Sequence, residues 1–531
     1  MKKVTKLDWR NYYATPNPGL LAYFSHVRLG QDVDIRPPFW KGKSRSQVIE
    51  MWNDEISSYH IDDLVPGLMA FEEEMRDKIG PLSIMAPLKE RITGIEEYYK
   101  DVELASEPID ERAIRAFCDT VRPVKVQRRD WKTTIRDMRL STNSGAPYFT
   151  KRRIIAEAML ENVLPGGYAT IPSGPYPATL GWRGQEGGPS IEDVKQRTVW
   201  MFPFSVNVQE LTMYQPLIIA WKHYHINPAF ESNRAVEEKI TRLFDTKGDE
   251  YVVVTDFSRF DQHFNSDLQR AARQIIHYQI VGASAYDWED EVFPIKYNIP
   301  LICDTDLMYE GDHGMGSGSG GTNFDEDCAH GSMQHEVAIK NGKRLNPNSN
   351  AYGDDGYLSY EGIDVDDVIS SYTSHGQEMN PDKQWVDKHS MVYLRRYYHD
   401  SYRDSKGTML GIYSTFRALG RLLGQERFIP FKEGSKDYAR YVILRAYSII
   451  ENCNQHPYFT KFVDFVIKGD KYKLGLALPG FLDSLSSEVK KAMEMDPDLL
   501  GYTKTLQLGT KPVDINDWAV VKYLKSKQNS R

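Results

Sequence analysis

The sequence predicts a helix-rich α+β chain built from several subdomains. Three observations carry this. The 531 residues exceed what one hydrophobic core normally organises. Two short β signals, the β-branched run Val252–Val254 and the turn tetrapeptide Gly353-Asp354-Asp355-Gly356, are separated by about a hundred residues. Stretches with apolar residues at helical spacing surround them and dominate beyond residue 400.

Residues 1–95 mix aromatic, proline-rich segments (Thr15-Pro16-Asn17-Pro18 and Arg36-Pro37-Pro38-Phe39-Trp40) with short helical stretches, as expected of an extension draped over a larger body. From Arg122 to Arg153 there are ten basic residues and two acidic ones, a local charge of +8 inside a chain of net charge −8. Trp131, Tyr148 and Phe149 are interleaved with them. That combination suits a surface that neutralises a nucleic-acid backbone while rings stack on bases; a solvated helix face is the plainer alternative. Loops rich in proline and glycine follow over 164–189.

The run Tyr251 to Asp261 starts as a buried strand. Asp256 falls at its end, and Asp261 lies five residues on, where the pattern turns helical with Leu268, Ala271, Ala272, Ile275 and Ile276 on one face. Taken alone, these acids end a strand and cap a helix. Gly316 to Asn323 is glycine-rich, yet it opens an amphipathic stretch (Phe324, Cys328, Met333, Val337) with Asp325 and Glu326 in its first turn. A loop feeding a helix in this way lets backbone approach a phosphate or a ribose. Gly353-Asp354-Asp355-Gly356 lies between Asn350-Ala351-Tyr352 and Tyr357-Leu358-Ser359-Tyr360, which is strand, tight turn, strand. Its tip holds two adjacent carboxylates, a natural place for a hard divalent cation. Most such triplets are solvated turns, so the weight lies in the order of all three sites. Helical patterns over Ile412–Leu423 and Tyr438–Ile450 follow, and a basic tail, 505–531, is expected to fray at its end.

Composition excludes several classes. Charged residues make up 26% and apolar ones 41%, which is a globular balance. The four cysteines show no CxxC pairing, so a zinc site or a disulfide scaffold is not expected. The basic start Met1-Lys2-Lys3 lacks the apolar core of a signal peptide, and no run approaches twenty apolar residues.

The order Asp256-x4-Asp261, Ser317-Gly318-x3-Thr322, Gly353-Asp354-Asp355 resembles motifs A, B and C of viral RNA-dependent RNA polymerases. Thr142-Asn143-Ser144-Gly145-Ala146-Pro147 resembles motif G, Lys195-Gln196-Arg197-Thr198-Val199-Trp200 motif F, Asn380-Pro381-Asp382-Lys383 motif D and Tyr393-Leu394-Arg395-Arg396 motif E. Length and motif wording are most similar to the polymerases of picobirnaviruses, which have segmented double-stranded RNA genomes. The resemblance implies a right-hand polymerase, with fingers, palm and thumb, an antiparallel palm sheet and a closed fingers–thumb channel. Its divisions fall at 1–95 (an extension bridging fingers and thumb), 96–245 with 268–312 (fingers), 246–267 with 313–400 (palm) and 401–531 (thumb and tail).

The resemblance also implies roles. Asp256 and Asp354 are the principal ligands of two Mg²⁺ or Mn²⁺ ions, with Asp355 in support, and Lys383 is a general acid for pyrophosphate. Lys195 and Arg197 meet the triphosphate. Asp261 accepts from the ribose 2′-hydroxyl, aided by Ser317, Gly318, Thr322 and Asn323. Many relatives carry asparagine four residues after the motif B threonine; Glu326 stands there, and Asn323 is the candidate substitute. Arg128, Arg129, Lys132, Ser144, Gly145, Lys151, Arg152 and Arg153 are the expected RNA contacts. The implied partners are template and product RNA, NTPs and capsid protein, with no membrane, a monomeric enzyme, and a location in the virion interior and host cytoplasm. Initiation without a primer is expected, with part of 485–531 (Tyr502, Trp518, Tyr523) plugging the channel. The rivals are a reverse transcriptase, disfavoured by the small Asp261 where a bulky steric gate belongs, and a non-catalytic RNA-binding or capsid-associated protein.

Overall fold

The computed structural model describes the chain except residues 165–167, 169–175, 497–498, 501–512 and 530–531. Part of the expected 164–189 loop region and Tyr502 therefore lie outside the described residues.

The centre is a four-stranded antiparallel sheet in the order Trp385–Asp387, Val252–Thr255, Asp355–Leu358, Asn350–Tyr352. The β-branched run explains its middle position. Strand side chains alternate between faces. Val252 packs with Val236, Ile240 and Tyr357 on one face, while Val253 and Leu358 join the main core on the other. A strand buried on both sides needs apolar residues at every position, which 252–254 supply.

The helix Thr322–Lys340 covers the second face, with Phe324, Cys328, Met333 and Val337 buried as their spacing predicts. The helix Ser266–Gln279 packs beside it and buries all five apolar residues named above. Its cap is Asn265, whose side chain accepts from the amides of Asp267 and Leu268. Asp261 is thus released from the capping role its position suggested. Likewise the pattern from Ile412 divides into a short strand, Ile412–Tyr413, and a helix, Thr415–Leu423, capped by Ser414.

A second, five-stranded sheet carries the hairpin Ala178–Gln185 and Lys195–Met201, and its far edge is Lys2–Val4 paired with Leu307–Glu310. A separate core gathers the helices beyond residue 412. Residues 39–79 enter that core: Trp52 is fully buried, lies 5.1 Å from both Phe462 and Phe465, and its indole donates to Thr415 Oγ1 at 2.9 Å. The N-terminal residues therefore tie the sheet of 178–201 to the C-terminal helices. Those two regions also meet directly through the Glu186–Arg417 ion pair at 2.5 Å.

Candidate active site

Asp256 follows the last residue of its strand, and Gly353-Asp354 is the two-residue turn of the neighbouring hairpin. Thr255 pairs with Gly356 and Tyr352 with Asp355, so Asp256 and Asp354 stand at the same end of adjacent strands. Paired strands lie about 4.8 Å apart, which brings the two carboxylates together across the sheet end. Their charges interact accordingly. Burial raises the Asp256 carboxyl, Lys383 opposes the rise, and the Asp354 charge adds to it. Asp355 is pushed up to about 7 by burial, then by Asp354 and Asp256, while Arg395 and Arg417 pull the other way.

The hairpin rests on a rail of polar side chains that the sequence reading missed. Gly353 takes φ +65°, the left-handed region a glycine enters without strain. Its amide donates to Asp327 Oδ1 at 2.6 Å, and its carbonyl lies 3.0 Å from His330 Nδ1. Gln334 Nε2 donates to the carbonyls of Asn350 and Tyr357 at 3.0 and 3.1 Å. Positions 327, 330 and 334 share one helix face. Burial drives the His330 imidazole down to about 4, so it is neutral at physiological pH. Its Nδ1–H then donates to the Gly353 carbonyl, leaving Nε2 to accept from the Thr255 hydroxyl at 3.3 Å. One ring thus holds both strand ends. The available signal was three polar residues at i, i+3 and i+7 in a helix that also carries the apolar Phe324, Cys328, Met333 and Val337.

Asp256 has its own support. Its amide donates to Gln384 Oε1 and its carbonyl accepts from Gln384 Nε2, both at 2.9 Å. Strands on either side of Gln384 pair with strands on either side of Asp256, so the segment 380–384 is pinned opposite it. That register places Lys383 in the field of Asp256. Lys195 and, unexpectedly, Lys78 of the N-terminal region add positive charge there too.

Asp261 is hydrogen-bonded to Glu326. Two carboxyl groups in one hydrogen bond share a proton. Burial, and then the charge of Asp261, raises Glu326 well above the ordinary range, so Glu326 carries it. Glu326 is 3% exposed, and its Oε1 has no partner among the described residues. Asn323 is turned to another task, its amide bonding the Tyr352 hydroxyl. Glu326, at the expected asparagine position, is therefore the residue that meets Asp261. Arg197 lies close enough to Asp261 to oppose the rise of its carboxyl.

The glycine-rich loop is clamped from behind. Glu210, fully buried, accepts from Ser319 Oγ at 2.6 Å and from the Gly320 amide at 2.8 Å. Asn207 Nδ2 donates to the Gly318 carbonyl at 3.1 Å, and a Cβ on Gly318 would fall 1.7 Å from the Trp200 carbonyl oxygen. Ser317 donates to the Thr198 carbonyl at 3.4 Å, and Thr322, the first residue of its helix, donates to Ser319 O at 3.2 Å.

Asp256 and Asp354 thus stand on neighbouring strand ends, beside a hydrogen-bonded carboxyl pair and within reach of cationic side chains. Residues 88–408 match the family of viral RNA-dependent RNA polymerases. The chain belongs to that family. Over 98% of its length it is 47% identical to a potential RNA-dependent RNA polymerase of human picobirnavirus, of which the match spans 99%. It superposes on the crystal structure of a human picobirnavirus RNA-dependent RNA polymerase with a TM-score of 0.89 at 45% identity, covering 98% of each chain. An insertion-loop deletion mutant of such an enzyme gives 0.87 at 44%, again over 98% of each. The protein is thus an RNA-directed RNA polymerase with the right-hand fold.

The polymerase's carboxylates suit hard divalent cations, being all oxygen donors, mutually repelling and partly buried. Among the described residues no three potential ligands already close on one point. Mg²⁺ normally uses one or two carboxylates and takes its remaining ligands from water and substrate phosphates, so the arrangement fits.

On the RNA side the structure corrects several expectations. Ser144 and Gly145 are buried; Ser144 Oγ accepts from the Thr150 amide at 3.1 Å, so they shape the turn from inside. Arg128 donates to Thr212 Oγ1 at 3.0 Å and also to Gln209, and Arg129 to Gln215 Oε1 at 2.6 Å and to Asp137. Both side chains are half-buried and help fix the helix Phe204–His223. Lys132 is exposed beside Trp131 but does not line the large cavity. Lys151, Arg152 and Arg153 do line it, a space of about 2470 Å³ whose wall runs from residues 138–153 to the C-terminal helices. Arg152 is half-buried and bonds Asn207 at 2.5 Å, linking this wall to the residue that holds Gly318. The tail reading also changes. Trp518 is buried in the C-terminal core while reaching the cavity wall, and Tyr523 is tied to Asp464 at 2.9 Å.

Proposed function

We propose that this polymerase replicates and transcribes a segmented double-stranded RNA genome by two-metal nucleotidyl transfer, and that it starts chains without a primer. The observation that carries the mechanism is the pairing of Thr255 with Gly356, which sets Asp256 beside Asp354.

Mg²⁺ or Mn²⁺ held by Asp256 and Asp354, with Asp355 in support, would supply positive charge to the attacking and leaving oxygens. The chain's own residues do the remainder. Lys195 and Arg197 bind the triphosphate and offset the charge that grows on pyrophosphate. The 3′-hydroxyl gives its proton to solvent water and bonds to the α-phosphorus as the bond from that phosphorus to the bridging α,β-oxygen breaks, the electron pair leaving with pyrophosphate. Lys383, in the field of Asp256, donates a proton to the departing pyrophosphate. Ser317, Gly318 and Thr322 form the loop under the nascent base pair, and Asn323 steadies the hairpin through Tyr352. The Asp261–Glu326 pair receives the 2′-hydroxyl. A hydroxyl both donates and accepts: as it enters, the Glu326 proton turns from Asp261 to the hydroxyl oxygen, and the hydroxyl gives its own proton to the Asp261 carboxylate.

The domain divisions, with 1–95 bridging fingers and thumb, belong to this reading. So do RNA contacts by Lys151, Arg152 and Arg153, a monomeric enzyme, association with capsid protein, and residence in the virion interior and host cytoplasm. The family supports a polymerase that meets RNA and NTPs, and no described helix is long and apolar enough to cross a membrane.

The test is radiolabelled NTP incorporation on single-stranded RNA with Mg²⁺ or Mn²⁺. Asp354→Ala abolishes synthesis while RNA binding persists. Synthesis at the wild-type rate by that variant would refute the assignment.

A further inference from the structure

Three segments far apart in the sequence meet on the outside of the C-terminal core. The Trp40 amide donates to the Gly469 carbonyl at 2.8 Å, and Lys41 Nζ reaches Glu433 Oε1 at 3.2 Å. These contacts join Trp40-Lys41-Gly42-Lys43, Lys432-Glu433-Gly434-Ser435-Lys436 and Lys468-Gly469-Asp470-Lys471-Tyr472-Lys473. The three segments hold seven lysines and two acids, in a chain of net charge −8. All seven lysines are exposed. Asp470 is buried and accepts from the Leu474 amide at 2.7 Å, which leaves Glu433 as the outward-facing acid. Its pair with Lys41 is open to solvent and contributes little. The other six lysines form no ion pair among the described residues.

The backbone is bent to make this face. Trp40, Lys473 and Leu474 take φ of +50°, +48° and +54°, the left-handed region that a residue with a Cβ avoids. The turn Trp40–Lys43 is closed by the Lys43 amide donating to the Trp40 carbonyl at 3.1 Å. It is fixed to the end of the helix Phe459–Gly469, where the Trp40 ring lies 5.4 Å from Phe465 and a Cβ on Gly469 would fall 2.1 Å from the indole nitrogen.

The lysines begin where the large cavity ends. Phe428, Pro430 and Phe431 line that cavity and Lys432 follows directly, yet none of the seven lysines lines it. Phe428 is 66% exposed, a bare ring at the lip. Lysines are compact point charges that neutralise a phosphate backbone without reading its sequence, and an exposed ring stacks on an unpaired base. The three segments expose no large apolar side chain, so an interfacial membrane anchor would have nothing to insert.

We propose that this lysine face is a second RNA-binding surface, which holds the backbone of a single strand outside the cavity once the strand has passed Phe428. It goes beyond the cavity contacts given to Lys151, Arg152 and Arg153 and does not need them. A strand held outside stays on the enzyme when the cavity empties, which raises its effective concentration for the next round.

The experiment uses the full-length enzyme carrying Lys43→Ala, Lys468→Ala and Lys471→Ala, with fluorescent single-stranded RNAs of roughly 10 and roughly 40 nucleotides as probes. Anisotropy is followed over a salt series. Affinity for the long RNA falls at least tenfold, and the slope of log K against log salt flattens by about 2, since each lost single-strand contact removes about 0.7. Affinity for the short RNA and extension of a short primed template stay within twofold. Replacing the same three lysines by arginine keeps the long RNA bound within twofold of wild type. Phe428→Ala weakens the long RNA with the salt slope unchanged. A long RNA indifferent to the alanine triple or to Phe428→Ala, equal loss for both lengths, equal loss in the arginine triple, or lysine-dependent binding to phosphatidylserine–phosphatidylcholine vesicles in place of RNA would overturn the proposal. Failure of the cavity reading is seen separately, as a short RNA that wild type does not bind.

Discussion

Replacing Glu326 tests the ribose pair most directly. In the structure its carboxyl is buried against Asp261, and Oε1 is left without a partner. If the 2′-hydroxyl takes one hydrogen bond from Glu326 and gives one to Asp261, the bond to the Asp261 carboxylate is worth about 1.5–3 kcal/mol and the one from the neutral Glu326 carboxyl about 0.5–1.5 kcal/mol. Glu326→Ala removes the second. At about 1.4 kcal/mol per factor of ten, discrimination between ribo- and deoxyribonucleotide should fall roughly 2- to 10-fold. Glu326→Gln keeps a donor and an acceptor in the same place and should stay within a few-fold of wild type. The assay is single-nucleotide incorporation on a primed template, comparing kcat/KM for CTP and dCTP. The reasoning predicts that the loss comes from slower CTP incorporation, with dCTP nearly unchanged. If Glu326→Ala discriminates as well as wild type, the pair does not read the ribose.

His330→Ala removes the ring that holds the Gly353 carbonyl and Thr255 hydroxyl and opens buried space, which should cost about 2–4 kcal/mol in thermal stability and lower kcat at least tenfold through misplacement of the two aspartates. Gly356→Ala would set a Cβ 2.4 Å from His330 Cε1; a protein as stable and active as wild type would show that the ring yields freely. The Asp355 carboxyl sits at about 7 against an ordinary 3.8, so the ion-free fold retains a proton between those values that the unfolded chain has lost. Its stability therefore falls as pH rises through that window, and the increase in Tm on adding Mg²⁺ should be larger at pH 8 than at pH 6, with Asp355→Asn flattening the difference. Truncation after residue 484 takes Leu485, Trp518, Val520, Val521 and Leu524 out of the C-terminal core, and should yield insoluble protein before it reports anything on initiation.

The sequence made the palm legible because its signals are local. A β-branched triplet, a Gly-Asp turn and a glycine loop before an amphipathic helix each define an element without knowledge of the fold. The positions of Asp256 and Asp354 follow once their strands are neighbours. What the sequence concealed is the support. Asp327, His330 and Gln334 look like ordinary polar residues of a helix until the hairpin is placed on top of them. Glu210 and Asn207 sit on a helix more than a hundred residues from the loop they clamp, so no spacing rule connects them. The basic run 122–153 divides in the fold. Arg128 and Arg129 hydrogen-bond side chains around the helix Phe204–His223 and Asp137, while Arg139, Lys151, Arg152 and Arg153 line the cavity. Charge density along a chain says nothing about which way each long side chain turns.

The distribution of charge in the site has a single physical logic. Asp256, Asp354, Asp355, Asp261 and Glu326 crowd one end of a four-stranded sheet, and burial plus mutual repulsion raises four of them above the ordinary carboxyl range. A fold can hold such a cluster only if its backbone cannot relax. That is what Gln384 does for Asp256, and what Asp327 and His330 do for the hairpin. The cations are kept at the edges: lysines toward Asp256, arginines beyond Asp355. Had an arginine stood between the aspartates, the site would be neutral and rigid without substrate, and divalent ions would have nothing to gain there. Leaving the middle negative and the rim positive makes the site incomplete until metal and triphosphate arrive together, which couples ion binding to the presence of the nucleotide.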